Sequence, residues 1–257
     1  MRYEFDGLTD VGRVRANNED SIRYDGAAGV AVLADGMGGY NAGEVAADMA
    51  TSIILADLQQ CARSPGEAAP PAREALQNAI ARANLEIFQS AEREVTHAGM
   101  GTTVIAAWFR GPKLWLGHVG DSRCYRWRRH QLVQITRDHS LLQEQLDAGL
   151  ISPEEAAVAD YRNLVTRALG VGPEVEIDIA EHPVEAGDLY LLCSDGLTDM
   201  LTDMEIAQMF RAGAELSHLA HKLVAAANAR GGRDNISVML VRARAERPPQ
   251  GLVAHLR

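Results

Sequence analysis

Several things are scarce in this sequence, and each scarcity closes off a class of protein. Cysteine occurs three times, at Cys61, Cys124 and Cys193, far apart and with no Cys-x-x-Cys pair. Neither a disulfide framework nor a zinc knuckle is therefore suggested, and a reducing compartment fits best. No stretch approaches the ~18 apolar residues of a membrane span, and the start, Met1 to Asp6, lacks the apolar core of a signal peptide. A cytoplasmic location is expected. Positive charge is also short: Lys+Arg 25 against Asp+Glu 35 gives a formal net charge of -10. That balance argues against nucleic acid or an anionic membrane as partner, whereas clustered carboxylates can hold divalent cations.

What is present describes a globular chain of 257 residues, 47% hydrophobic and 23% charged, long enough for one well-buried domain. Strand-like runs rich in Val, Ile, Leu and aromatics occur at Val30 to Leu33, Thr102 to Phe109, Lys113 to Val119, Asp188 to Cys193 and Ile236 to Val241. Helical spacing predicts helices over roughly Gly43 to Leu58 and Pro71 to Val95, joined by Cys61 to Pro71, and over Asp203 to Arg211 and Glu215 to Arg230. Ser152, Pro153 and Glu155 read as the capped start of a short helix after Gln143 to Leu150. The order of elements does not alternate as βαβα units would, which favours an α+β sandwich over a doubly wound sheet. One domain over 1–245 is expected, with a short peripheral tail at 246–257 containing Pro248 and Pro249.

Aspartates sit beside glycines or at the ends of apolar runs in four places: Asp35-Gly36, Gly120-Asp121, Asp195-Gly196 and Asp234-Asn235. Taken singly, an Asp-Gly after a strand is more often a turn than a ligand. Side chains at the ends of separate strands can nevertheless converge, and the Gly36 carbonyl could add an oxygen. A fifth cluster, Thr9 to Asp20, combines Asp10, Glu19 and Asp20 with Arg13 and Arg15. Hard oxygen donors suit magnesium or manganese, while a planar guanidinium grips phosphate oxygens in pairs. Gly101-Thr102-Thr103 lacks the lysine of a P-loop and reads as a strand start. Asp138-His139-Ser140 reads as a cap or loop contact in preference to a hydrolase triad, because neighbours on a strand point to opposite faces.

These motifs, in this order, resemble the metal-dependent protein phosphatases of the 2C type in their compact bacterial form: Arg15 to Asp20, Asp35 to Gly39, Gly101 to Thr103, Gly120 to Arg123, Ser194 to Gly196 and Asp234-Asn235. The resemblance implies a four-layer αββα sandwich with a binuclear Mn2+ or Mg2+ centre at one end. It implies that Asp35 bridges both ions, that Asp195 and Asp234 complete one site, and that Glu19 and the Gly36 carbonyl serve the other, with Asp20 acting through coordinated water. Asp121 with Asp195 corresponds to a third, weaker metal in similar bacterial enzymes, and Arg15 to the phosphate-binding arginine. Asp10, Asn235 and Thr102 fall inside family motifs but suit supporting duties. The stretch 142–163 matches a variable flap beside the site.

The implied reaction is hydrolysis of phosphoserine and phosphothreonine in proteins by metal-activated water with no phosphoenzyme, opposed by a serine/threonine kinase. Met37 stands where many eukaryotic relatives carry a histidine, and methionine has no proton to give. The leaving-group proton then falls to a metal-coordinated water ahead of His139, with His118 structural. The rivals are a pseudophosphatase, which would lack ligands, and a partner-switching regulator, usually fused to a sensor domain.

Overall fold

The computed structural model describes residues 1–38, 42–63, 70–156, 159 and 164–246. Gly39, part of the Cys61 to Pro71 connector, part of the 142–163 flap and 247–257 of the tail lie outside the described residues.

Among the described residues, two antiparallel sheets are built from eleven strands. One has the order β1 (Arg2–Asp10), β11 (Ile236–Arg244), β10 (Leu189–Cys193), β7 (Arg123–Arg128), β8 (Gln131–Gln134). The other has the order β2 (Asp20–Asp25), β3 (Val30–Met37), β5 (Val104–Arg110), β6 (Lys113–Val119), β9 (Asp178–Pro183), with the two-residue β4 (Gly101–Thr102) paired to the end of β3. Alternation of side chains sets which face each residue covers. Leu33, Ile105, Leu116, Cys124, Tyr190, Leu192 and Met239 point between the sheets and form the central core. On the outside, Val30, Val32 and Ala34 of β3 pack against α1 (Ala42–Arg63) and α2 (Ala72–Arg93). The opposite flank places Leu191, Val238 and Leu240 against α6 (Asp203–Arg211) and α7 (Leu216–Ala229). The architecture is the αββα sandwich.

Short helices lie at one end: α3 (Leu141–Asp147), α4 (Pro153–Ala156) and α5 (Asp195–Thr198). Ser152 caps α4 as expected, its Oγ accepting from the Glu155 amide at 3.2 Å while the Glu155 carboxylate accepts from the Ser152 amide at 2.8 Å. Ahead of it, α3 begins at Leu141 behind its own cap, Ser140, and ends at Asp147.

Strands β1, β2, β7, β8 and β9 were not marked by apolar runs. β1 is part-buried along nearly its whole length, and β9 is an edge strand with most of its residues exposed, so both carry acids and bases that mask their period.

Candidate active site

Sheet pairing sets two carboxylates side by side at one end of the sandwich. Asp20, the first residue of β2, lies directly across from Asp35 near the end of β3. Asp121 follows β6 after a turn in which Gly120 holds φ at +110°, a conformation that glycine adopts freely. Asp195 opens α5 at the end of β10, and Asp234 lies just before β11. The cleft that results has a volume of about 260 Å3 and is lined by Arg15, Glu19, Asp35, Gly36, Asp121, Asp195 and Asp234, with Met37, Gly38, Thr103, Val165 and Asn235. Asp20 lies beneath it, buried.

The two Asp-Gly pairs are close-approach devices. A Cβ on Gly36 would stand 2.1 Å from the Gly43 carbonyl oxygen, and one on Gly196 would stand 2.0 Å from the Asn235 carbonyl oxygen. Only glycine lets these backbones press together, and so set Asp35 and Asp195 against their neighbours.

Around the carboxylates runs a frame of hydrogen bonds. Thr103 Oγ1 accepts from the Asp35 amide at 3.1 Å, and Thr102 Oγ1 donates to the Asp35 carbonyl at 2.8 Å. Thr103 also meets Ser122 Oγ at 2.8 Å. Ser194 Oγ donates to Asp20 Oδ2 at 2.8 Å. Asn235 ties three segments together: its amide nitrogen donates to the carbonyls of Val11 and Asn17 at 3.0 and 2.8 Å, while its Oδ1 accepts from the Glu19 amide at 2.8 Å. Asp10 turns away from the cleft, accepting from the Gly12 amide at 2.9 Å and from Asn228 at 3.0 Å.

Crowding of like charge dominates the electrostatics. Burial first, and then the charges of Asp20, Asp195, Asp121 and Asp234, push the Asp35 carboxyl well above its usual range. Asp195 is raised strongly by burial and by Asp121. Asp20 rises to about 6 through burial, against the help of its serine donors, and Asp121 to about 6 through burial and the Asp138 charge. Burial raises Glu19 as well. Arg15 is the cation lining this cleft, and its guanidinium donates to Asp234 at 2.6 Å.

The donor set is all oxygen, which suits a hard divalent cation and not zinc. One buried oxygen, Asp20 Oδ1, has no hydrogen-bond partner, the condition expected of a group that a cation or its water would satisfy. Among the described residues, however, no group of three or more His, Cys, Asp or Glu side chains forms a ready metal cage. The carboxylates ring the cleft, and Asp234 is engaged by Arg15.

All eight residues singled out in the sequence, Arg15, Glu19, Asp20, Asp35, Gly36, Asp121, Asp195 and Asp234, gather at this end. His139 does not line the cleft. It is 6% exposed, its Nδ1 accepts from the Gly120 amide at 3.1 Å, and its Nε2 faces Asp178 at 3.3 Å. Both ring nitrogens are thus engaged away from the cleft. His118 is buried against it, held neutral with its pKa pushed down to about 3 by burial and the neighbouring ring. Asp138 is clamped by Arg123, with contacts of 2.7 to 3.1 Å, and Ser140 caps α3. The Ser194–Asp20 bond and the Arg123–Asp138 clamp were not foreseen, although Ser194 and Arg123 fall inside the motifs, because neither pairing follows from a local pattern.

Fold, carboxylate ring and adjoining arginine together agree with the comparisons. The family profile described as Protein phosphatase 2C matches residues 12–231, and the chain belongs to that family. Among its relatives, the serine/threonine phosphatase stp of Listeria monocytogenes is 40% identical over 244 residues, covering 94% of this chain and 95% of that one. The serine/threonine protein phosphatase PstP of Mycobacterium tuberculosis is 43% identical over 240 residues, covering 93% of this chain but 44% of the longer relative. The PstP catalytic domain solved in complex with two manganese ions superposes with a TM-score of 0.84 at 39% identity, covering 95% of this chain and 99% of that one.

Proposed function

We propose that this chain is a protein serine/threonine phosphatase that hydrolyses phosphoserine and phosphothreonine through a pair of manganese or magnesium ions held in the carboxylate cleft. The observation that carries the reading is the convergence of Glu19, Asp20, Asp35, Asp121, Asp195 and Asp234 from separate elements around Arg15. In this reading Asp35 would be shared by both ions, Asp195 and Asp234 would help hold one, Glu19 and the Gly36 carbonyl would help hold the other, and Asp20 would act through water. Asp121 with Asp195 would take a third, weaker ion. Bound there, the ions would lower the pKa of a water toward neutrality and offset charge on the phosphoryl oxygens.

The chain's own residues do the positioning. Arg15, once released from Asp234, binds two phosphate oxygens side by side and sets phosphorus in line for attack. Thr102 and Thr103 hold the backbone of Asp35, Asn235 locks the segment carrying Glu19, and Ser194 orients Asp20. The carboxylates act as ligands, not as nucleophiles, so no phosphoenzyme forms.

The reading extends to one phosphatase domain over 1–245 with a flap at 142–163 and a tail at 246–257. It also extends to the cytoplasm as location, to phosphoproteins as substrates and to an opposing serine/threonine kinase, which must supply them. Among the described residues no helix is long and apolar enough to cross a membrane.

The test is hydrolysis of p-nitrophenyl phosphate and of a phosphothreonine peptide with manganese, with chelator, and with Asp195→Ala. Turnover that needs metal and vanishes in the variant supports the reading. Silence on both substrates across divalent metals would make the pseudophosphatase the better account.

A further inference from the structure

The catalytic cleft does not end at its carboxylates. Met37 and Val165 line it and also line a neighbouring groove of about 410 Å3, so the two spaces lie side by side and share these two side chains as a border. The groove carries Val171 and Val175 on its walls and Glu174 at its rim. Gly101 helps shape it: a Cβ there would stand 3.5 Å from Val171 Cγ2 and 3.6 Å from Met37 Cγ, so these two side chains converge over a position that has none.

The wall is held firmly. Leu169 and Thr102 exchange backbone hydrogen bonds at 2.8 and 3.1 Å, and the Thr166 amide donates to the His139 carbonyl at 2.8 Å. Asn84, buried on α2, accepts from the Gly170 amide at 2.9 Å and donates to the carbonyls of Gly172 and Pro173 at 3.0 and 3.2 Å. Val175 is anchored against the core under α1 and α2. Val171 is nevertheless 72% exposed. An apolar side chain fixed in water on a braced wall, opening onto a catalytic cleft, is the form of a preorganised binding pocket.

Resting on the phosphatase reading, we infer that this groove seats an apolar side chain of the substrate polypeptide next to the phosphoresidue, with Met37, Val165, Val171 and Val175 as its contacts. Because the groove adjoins the cleft and an extended peptide advances roughly 3.3 Å per residue, positions close to the phosphoresidue on either side are the ones to scan. Glu174 and Glu176 both line the groove, and the cation lining it, Arg167, is already paired with Glu176 at 3.2 Å and Asp178 at 3.4 Å, so acid outweighs base there and the groove selects against acidic flanks as well as for apolar ones.

Phosphothreonine peptides carrying either leucine or aspartate at each of three positions on both sides test this. The readouts are kcat/KM with manganese and, independently of turnover, Kd from fluorescence anisotropy of labelled peptides in chelator. At one flanking position the wild type should favour leucine by about tenfold or more, the scale of a hydrophobic pocket's discrimination. In Val171→Asp, whose site is exposed and whose fold is checked by thermal melting, that ratio should fall to about twofold or less. A ratio near one at every position in the wild type, or an unchanged ratio in Val171→Asp, overturns the inference. If p-nitrophenyl phosphate is not hydrolysed but the Kd preference is present, the phosphatase reading fails and the groove stands.

Discussion

Arg15 and Asp234, 219 residues apart in sequence, meet at 2.6 Å between a guanidinium nitrogen and Oδ2. In this arrangement the residue proposed to bind phosphate and a residue proposed to bind metal neutralise each other. Metal taking Asp234 and phosphate taking Arg15 are then coupled, because each releases the other's partner. The pair is partly open to water, at 55% and 30% exposure, so solvent screening keeps the exchange cheap.

Arg15→Ala should lower kcat/KM on p-nitrophenyl phosphate by about 10²-fold, the range found for removing one fixed donor to a charged transition state. Manganese affinity should hold or tighten, since Asp234 is freed. Parallel kinetics and calorimetric titration distinguish this from general damage, which would weaken both.

Asp20 and Asp121 have carboxyls raised to about 6, and Asp35 stands well above its ordinary value. Groups whose folded pKa exceeds the unfolded one contribute stability that is full below the unfolded value, near 4, and is lost as pH rises through about 6. In chelator this contribution should lower the thermal midpoint between pH 5 and pH 7.5. Manganese should restore it at pH 7.5 and do little at pH 5, where protons compete for the same oxygens. Differential scanning fluorimetry at both pH values, with and without metal, reads the four midpoints.

Asp195→Asn should abolish metal-dependent turnover while raising the chelator-treated midpoint at pH 7.5. Its carboxylate is buried beside Asp121, Asp199 and Asp234, and removing one of several crowded like charges relieves repulsion. A fall in the midpoint would mean that the residue stabilises the fold as well as the site.

Gly36→Ala should be destabilised by about 1–3 kcal/mol or more, the cost of overpacking. Its new Cβ would sit 2.1 Å from the Gly43 carbonyl oxygen, and backbone cannot yield as a side chain does. Urea unfolding at constant metal measures it, and because Gly36 is not among the glycines with positive φ, the loss reads the clash alone.

The sequence revealed most where local chemistry and tertiary role coincide. Asp35-Gly36 and Asp195-Gly196 are legible because a glycine that permits a tight approach also marks a strand end. Lys113–Val119 is legible because it is an apolar run bounded by a glycine turn. β7 was opaque: Arg123, Arg126 and Arg128 interrupt its buried residues, and the placing of two of them depends on partners elsewhere, Asp138 for Arg123 and Asp188 for Arg128. Asn235 was legible only as part of a motif. Its work of joining residues 11, 17 and 19 to the segment before β11 exists only in three dimensions. The Arg15–Asp234 contact was likewise invisible, since each residue alone suggested a ligand of its own.

The central claim, that the carboxylate ring holds a pair of divalent cations, is tested most directly by isothermal titration of manganese into the chelator-treated chain at pH 7.5, beside Asp35→Asn. The account predicts at least two ions bound by the wild type, and loss of the tight component when the proposed bridging carboxylate becomes an amide. Absence of binding in the wild type, or an isotherm that Asp35→Asn leaves unchanged, would contradict it.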